Sequence, residues 1–296
     1  MINSHPGLPE FDYVKPASLQ EASRFLAEHS GEARPFSGGT DCFVRMRDGF
    51  MKPRYMVDVK GLEGTRVLEY DPATGLTIGA AVPMNQVARC REAIEFYPLL
   101  VEAVNSVASY QLRSRASIIG NICNASPAGD SIGACLVMGG VLNIHGVDGM
   151  RKQPLAGFFT GPGKTVLKPG DVVVSITIPQ PPKGHGHSFV KLNRNKVGDL
   201  SIVAVTAYAY RTSEMASGYH FSVSLTSVAP TPLMVQSVTD LLGAGPITEE
   251  TLSAAAQAAM DAATPIDDVR GTARYRKYMV RNLAHRALTE VWAQVK

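Results

Sequence analysis

The chain has 296 residues, 45% of them hydrophobic and 19% charged, and a formal net charge of +3. This is the make-up of an ordinary soluble globular protein with room for a larger N-terminal unit and a smaller C-terminal one. The charge is too small to suggest a nucleic-acid ligand, and the positives between 270 and 286 interleave with a helical apolar stripe, as on a solvated helix face.

The longest apolar run, 132–144, is broken by glycines and is shorter than the roughly 18 to 20 residues that cross a bilayer, so no membrane span is expected. Residues 1–10 hold no basic segment leading into an apolar one, so no secretory signal is expected. Cys42, Cys90, Cys123 and Cys135 include no Cys-x-x-Cys pair. Scattered cysteines point to reduced thiols, a cytoplasmic location and no iron-sulfur or zinc site in this chain.

In chain order, 11–14 reads as a short strand. Ser18 and Glu21 have the spacing of a capping box, and Leu19, Ala22, Phe25 and Leu26 recur on one face, so a helix runs to about residue 28. The apolar segment 33–36 ends in Ser37-Gly38-Gly39-Thr40-Asp41. Paired glycines after a strand let the backbone approach a ligand closely, and successive amides in such a turn form an anion nest. Strands are predicted at 55–59 and 76–81, and helices over 83–90 and 99–108.

Residues 111–130 read Gln-Leu-Arg-Ser-Arg-Ala-Ser-Ile-Ile-Gly-Asn-Ile-Cys-Asn-Ala-Ser-Pro-Ala-Gly-Asp. So many turn formers around Ile118 and Ile119 argue against a regular element and for a loop that wraps a polar object. A buried helix at 132–138, a strand at 141–146, a hairpin turn at Asp148-Gly149 and a β-branched strand at 172–178 follow. The prolines and glycines of 179–186 mark the best domain boundary. Beyond it, strand-like runs at 188–192, 201–210 and 220–228 suggest an antiparallel sheet, and 233–242, 251–262 and 274–292 carry helical patterns. The order of elements is that of an α+β protein.

Gly161-Pro162-Gly163-Lys164-Thr165 looks like the end of a P-loop, but Phe158 stands where the first glycine belongs and a strand follows where a helix should open. His185 and His187 lack nearby partners for a metal set and read as a mobile, solvated pair in the linker. No Gly-x-Ser-x-Gly, no His-Glu-x-x-His and no Rossmann fingerprint occurs. The two glycine-bearing loops remain. Their amides, with hydroxyls of Thr40, Ser117 and Ser126, suit the paired charges of a diphosphate.

Together these stretches resemble the FAD-binding medium subunit of the molybdenum hydroxylases, the group of xanthine dehydrogenase, aerobic carbon monoxide dehydrogenase and related aldehyde and N-heterocycle dehydrogenases. Phe36 to Asp41 looks like the family's first diphosphate loop. Gln111-Leu112-Arg113, Ala116-Ser117-Ile118, Gly120-Asn121-Ile122, Ser126-Pro127 and Asp130 look like the second, with Ile119 where a glycine is usual. Phe158-Phe159, Gly161, Lys164-Thr165 and 170–176 look like the approach to a flavin-lining strand. Phe189, Lys191 and Asp199 resemble the segment beside the isoalloxazine, and 268–276 the signature opening the final helix.

The resemblance implies a two-subdomain FAD-binding domain of the vanillyl-alcohol-oxidase or PCMH type over 1–179, with subdomains near 1–60 and 61–179. A C-terminal antiparallel sheet packed with helices would occupy 187–296. It implies diphosphate contacts at Ser37, Gly38, Gly39, Thr40 and Asp41. Contacts along the diphosphate, ribityl and adenosine parts would come from Ala116, Ser117, Gly120, Asn121, Cys123, Asn124 and Asp130. Val173, Val174 and Lys191 would lie at the adenine or flavin ends. It also implies no catalytic residue and no metal here, a large partner subunit with the molybdenum cofactor, and a small one with two 2Fe-2S clusters. The assembly would be a dimer of heterotrimers whose FAD passes electrons to an external acceptor. The alternatives are a stand-alone flavin-dependent oxidoreductase of similar fold and an assembly protein that has lost FAD.

Overall fold

β1 (Asp12–Val14) and β2 (Ala33–Phe36) both pair in parallel with β3 (Tyr55–Asp58), which is the central strand of a three-stranded sheet. Parallel neighbours need a crossover, and α1 (Leu19–Glu28) supplies it between β1 and β2. Its buried stripe, Ala22 and Leu26, packs on Val57, Val59 and Leu62. Ser18 caps it by accepting the Glu21 N–H at 3.1 Å, while the Glu21 carboxylate reaches back to the N–H of Ala17 at 2.7 Å, one residue earlier than expected. α2 (Cys42–Arg47), absent from the sequence reading, buries Met46 against Phe36 and Met56. This computed structural model describes residues 7–195 and 198–296; residues 1–6, most of the segment read as lacking a secretory signal, and 196–197 lie outside the described residues.

The second sheet is antiparallel. β4 (Leu68–Asp71), β5 (Gly75–Gly79), β6 (Val141–Gly146) and β7 (Gly149–Pro154) surround a strand that arrives late, after the small hairpin of β8 (Phe159–Gly161) and β9 (Lys164–Thr165). That strand is β10 (Val172–Ile178), and the order is β4-β5-β10-β6-β7. β10 belongs to two cores. Val172 joins the cluster around α1 and β3, whereas Val173 and Ile176 join the main core. The false P-loop is the turn between β8 and β9, which explains why no helix follows Lys164.

Between β5 and β6 run α3 (Met84–Val87), α4 (Arg91–Phe96), α5 (Pro98–Ser106), α6 (Tyr110–Arg113), α7 (Ile118–Asn124) and α8 (Asp130–Val137). The helix expected over 83–90 is thus a single turn. Leu100, Val104, Ile118, Ile122 and Ile132 close the main core on Leu76, Ile78, Ile176 and Ile178. The expectation that 111–130 forms no regular element is corrected here, since α7 lies inside it and α6 overlaps its start. The Ser109 and Ser117 hydroxyls cap the two helices, accepting from Leu112 N at 3.3 Å and Gly120 N at 3.0 Å. Ile118, Ile119 and Ile122, all buried, give α7 an apolar face that outweighs its poor helix formers.

The third sheet, β11 (Gly186–Leu192), β12 (Val203–Arg211), β13 (Tyr219–Thr226) and β14 (Leu233–Met234), is antiparallel in chain order. Strand alternation sorts its faces. Val205, Ala207, Val223 and Leu225 meet α9 (Gln236–Gly243), α10 (Glu249–Ala262) and α11 (Ala273–Val295) through Val238, Leu252, Ala255, Val280, Ala284 and Leu288. Thr206 and Ser224 face α8 on the other side. A Cβ on Gly133 would come within 2.8 Å of both their hydroxyls, so the helix lies close on the sheet because that residue is glycine.

His185 and His187 are not a mobile pair, because the sheet extends into the linker. His187 pairs with Tyr208 on β12, and the His185 ring lies 5.3 Å from the Tyr208 ring. Burial, then the charge of His185, lowers the His187 pKa. Among the described residues no group of three His, Cys, Asp or Glu side chains is placed to hold a metal, and no helix is long and apolar enough to cross a membrane.

Candidate functional site

Residues 37–41 leave β2 at the edge of the main core. The Ser37 hydroxyl donates to the Ala80 carbonyl at 3.0 Å, which moors the turn to the end of β5. A Cβ on Gly38 would overlap the carbonyl oxygen of Arg115, so backbone lies directly on backbone. Gly39 has φ +77°, and a Cβ there would sit 2.6 Å from the Phe36 ring. The two glycines therefore do different things. One permits contact and the other permits the left-handed turn.

The amides of Gly38, Gly39, Thr40 and Asp41 donate to no protein acceptor among the described residues. They stand immediately before α2, where the sequence suggested an anion nest. Asp41 is exposed, yet protein hems it in. Lost hydration raises its pKa above the ordinary carboxylate value, and Arg45 opposes the rise.

The second loop is fixed by the first turn of the helix run. Met84 N donates to Ala116 O at 2.8 Å, and Ser117 bridges Pro83. Ser117 and Gly120 satisfy each other through the cap, so that hydroxyl is committed to local structure. With Ile118, Ile119 and Ile122 facing inward, helical spacing leaves Gly120, Asn121, Cys123 and Asn124 on the outward face. Asn121 Oδ1 accepts from the Ser131 hydroxyl at 2.9 Å, and Asn124 Oδ1 lies 3.5 Å from Arg45 Nη1 of α2. The loops thus touch twice, at Gly38 with Arg115 and at Arg45 with Asn124. Cys123 has an accessible edge, but burial pushes its thiol pKa up to about 12.

Asp130, the first residue of α8, behaves differently. Its Oδ2 is 2.6 Å from Lys191 Nζ, which also donates to Ser106 O at 3.0 Å, and both side chains are almost wholly buried. Burial raises the Asp130 pKa against the pull of Lys191 and the nearby Ser201 hydroxyl. Its Oδ1 has no hydrogen-bond partner among the described residues. Val174 is the extra residue of a bulge in β10; its carbonyl accepts from Ala80 N at 2.9 Å, the same residue whose carbonyl moors Ser37. Val173 packs into the main core.

The structure therefore brings 37–41 together with 116–124, sets Val174 beside the first loop through Ala80, pairs Asp130 with Lys191, and turns Val173 inward. The sequence reading missed Arg115, Ala80, Arg45 and Gly163, whose N–H donates to Ala125 O at 3.0 Å. Three of these act through the backbone, which no residue type announces. Arg45, a cation one turn past the nest, was the one with a side-chain signal.

Comparison with known proteins identifies the family. A family described as the FAD binding domain in molybdopterin dehydrogenase matches residues 9–181, and the CO dehydrogenase flavoprotein C-terminal domain matches 187–291. The chain is 30% identical over 286 residues to the carbon monoxide dehydrogenase medium chain of Hydrogenophaga pseudoflava, covering 97% of this chain and 98% of that one. It is 27% identical over 282 residues to the xanthine dehydrogenase FAD-binding subunit of Escherichia coli O157:H7, covering 95% and 96%. A solved structure of carbon monoxide dehydrogenase from H. pseudoflava, lacking the Mo-pyranopterin moiety of the molybdenum cofactor, matches with a TM-score of 0.92 at 30% identity, over 97% of this chain and 99% of that one. With a family match over more than half of its length and a 30% identical relative over nearly all of it, the chain belongs to the FAD-binding medium subunits of the molybdenum hydroxylases and is an oxidoreductase subunit whose own cofactor is FAD.

Proposed function

We propose that this chain holds FAD with its diphosphate between 37–41 and 116–124, takes electrons from the 2Fe-2S clusters of a small partner subunit, and delivers them to an external acceptor. Substrate oxidation belongs to a large molybdenum-cofactor subunit in this reading, the assembly is a dimer of heterotrimers, and its compartment is the cytoplasm. The observation that carries the proposal is the run of four adjacent amides at Gly38 to Asp41 without acceptors among the described residues, pressed against a second glycine-bearing loop. Such a donor set fits a diphosphate without a metal or a P-loop lysine.

In this reading the nest amides of Gly38, Gly39 and Thr40 grip the phosphate oxygens. Asn121, Cys123 and Asn124 line the opposite wall, and Val174 supports the end near Ala80. The buried Lys191 and Asp130 set the charge at the far end of the site. When bound, FAD supplies reversible electron uptake and release. The protein's tasks are to fix the cofactor's position, exclude water along its length and leave one edge reachable, and none of them needs a general base or nucleophile.

We further propose a division into 1–179, with subdomains near 1–60 and 61–179, and 187–296. The separate hydrophobic clusters and the two family matches, which meet between 181 and 187, support it. Purification from the native source tests the function. A yellow protein that co-purifies with a molybdenum subunit and an iron-sulfur subunit is expected. A colourless chain that takes up no FAD, or a chain turning over a small molecule with no partner, overturns it.

A further inference from the structure

Ser227, which follows β13, has φ +69°, a region where residues with a Cβ seldom rest. Three elements pin it there. Its N–H donates to Pro127 O at 2.7 Å, its carbonyl accepts from Arg276 Nη1 at 3.0 Å, and its hydroxyl meets that of Ser201 at 2.6 Å. Arg276, 2% exposed, extends its other arm to Asp268, whose carboxylate also receives Arg270 Nη2 at 2.7 Å. Pro127 sits in the turn between α7 and α8. That turn is shaped locally by Ser126, whose carbonyl accepts from Gly129 N at 3.1 Å and whose hydroxyl accepts from Ala128 N at 3.2 Å. It abuts the site: a Cβ on Gly129 would come within 3.1 Å of Asn121 Oδ1. A chain of contacts thus runs from the start of α11 through Ser227 to the second loop.

We propose that Arg276 is a positioning residue for FAD binding: by holding the Ser227 carbonyl it keeps Ser227 left-handed, and the Ser227 amide in turn fixes the turn 126–129 against Asn121. The inference rests on the reading that 116–130 contacts FAD. Only a guanidinium serves here, because its planar fork spans the Ser227 carbonyl and the Asp268 carboxylate at once, whereas a lysine is a single point.

The test uses the full chain. Arg276→Lys is expected to weaken FAD affinity on the order of tenfold and to speed amide hydrogen exchange in 125–131, a stretch to which Arg276 makes no hydrogen bond. Arg276→Lys combined with Ser227→Gly is expected to recover most of the affinity, since glycine takes positive φ without a prop. Unchanged affinity in Arg276→Lys overturns the inference if Gly39→Val still loses FAD; if Gly39→Val also keeps FAD, the site reading itself has failed. Lost affinity with no rescue by glycine and no faster exchange in 125–131 marks a purely structural role and also overturns the inference. Should Arg276→Lys not fold, Ser201→Ala carries the comparison, with Asp130→Asn measured beside it because the Ser201 hydroxyl also acts on the Asp130 carboxylate. About a threefold loss with faster exchange in 125–131 supports the inference, and no change in either sinks it.

Discussion

Asp130 Oδ2 lies 2.6 Å from Lys191 Nζ, and this buried pair bolts the start of α8 to β11. Lys191→Met leaves the carboxylate buried without its partner and is expected to cost about 3 to 5 kcal/mol of stability, whereas Asp130→Asn combined with Lys191→Met costs less. Urea midpoints of the three chains decide it; equal losses in the single and double variants would refute the pairing. The pH dependence has a definite sign. Burial raises the folded-state pKa of Asp130 above 3.8, so its contribution is full below that value and declines as pH rises through the raised pKa. The stability of wild type relative to Asp130→Asn therefore falls as pH leaves the acid range.

Asp268 gives the opposite slope. Burial acts to raise its pKa, but hydrogen bonds from Arg276 and Arg270 outweigh burial and hold it well below 3.8. Its contribution is present above that value and is lost as pH falls toward the folded-state pKa. Asp268→Asn should flatten the acid limb of a plot of urea midpoint against pH below about 4. An unaltered limb would show that the arginine pair does not bind the carboxylate in solution.

Gly38→Ala forces a methyl into the Arg115 carbonyl, so the two loops must part. Strain of about 1 to 3 kcal/mol is expected, read as a loss of bound FAD of roughly tenfold or more. Gly61→Ala, where a Cβ meets nothing within 4 Å, is the control and should stay within about 0.5 kcal/mol of wild type. Equal FAD content in the two variants would mean that the loops do not need their contact.

Ile119→Gly restores the residue usual in the family at that place. Because the Ile119 side chain is 4% exposed and sits in the main core, the change should cost about 3 to 6 kcal/mol. FAD affinity of the folded fraction should be unchanged. Denaturation and flavin titration together check this; tighter FAD binding would show that the isoleucine does crowd the cofactor.

Periodicity and turn chemistry were legible. The Leu19, Ala22 and Leu26 stripe, the strand-like runs that became β12 and β13, and the long α11 all lie where their patterns put them. The close backbone approach at Gly38 and the left-handed turn at Gly39 were legible too, because paired glycines after a strand permit both. α7 was not, since its stability comes from three isoleucines meeting distant core partners and from a cap that the turn formers around it disguised. β4 and β7 carry partly polar, half-exposed faces and borrow their pairing from β5 and β6. The contacts between Gly38 and Arg115, and between Arg276 and Ser227, join positions far apart through carbonyl oxygens. Residue identity does not encode them.

β10 has a further consequence through its divided membership. Val172 is bound into the small cluster beneath α1, and Val173 beside it is bound into the main core, so neither body of side chains can loosen without disturbing the same strand. The small cluster has few members and leans on its neighbour. Heating should therefore melt the α1 region and the main core in one cooperative transition, with flavin released in that same event instead of leaking away through a hinge.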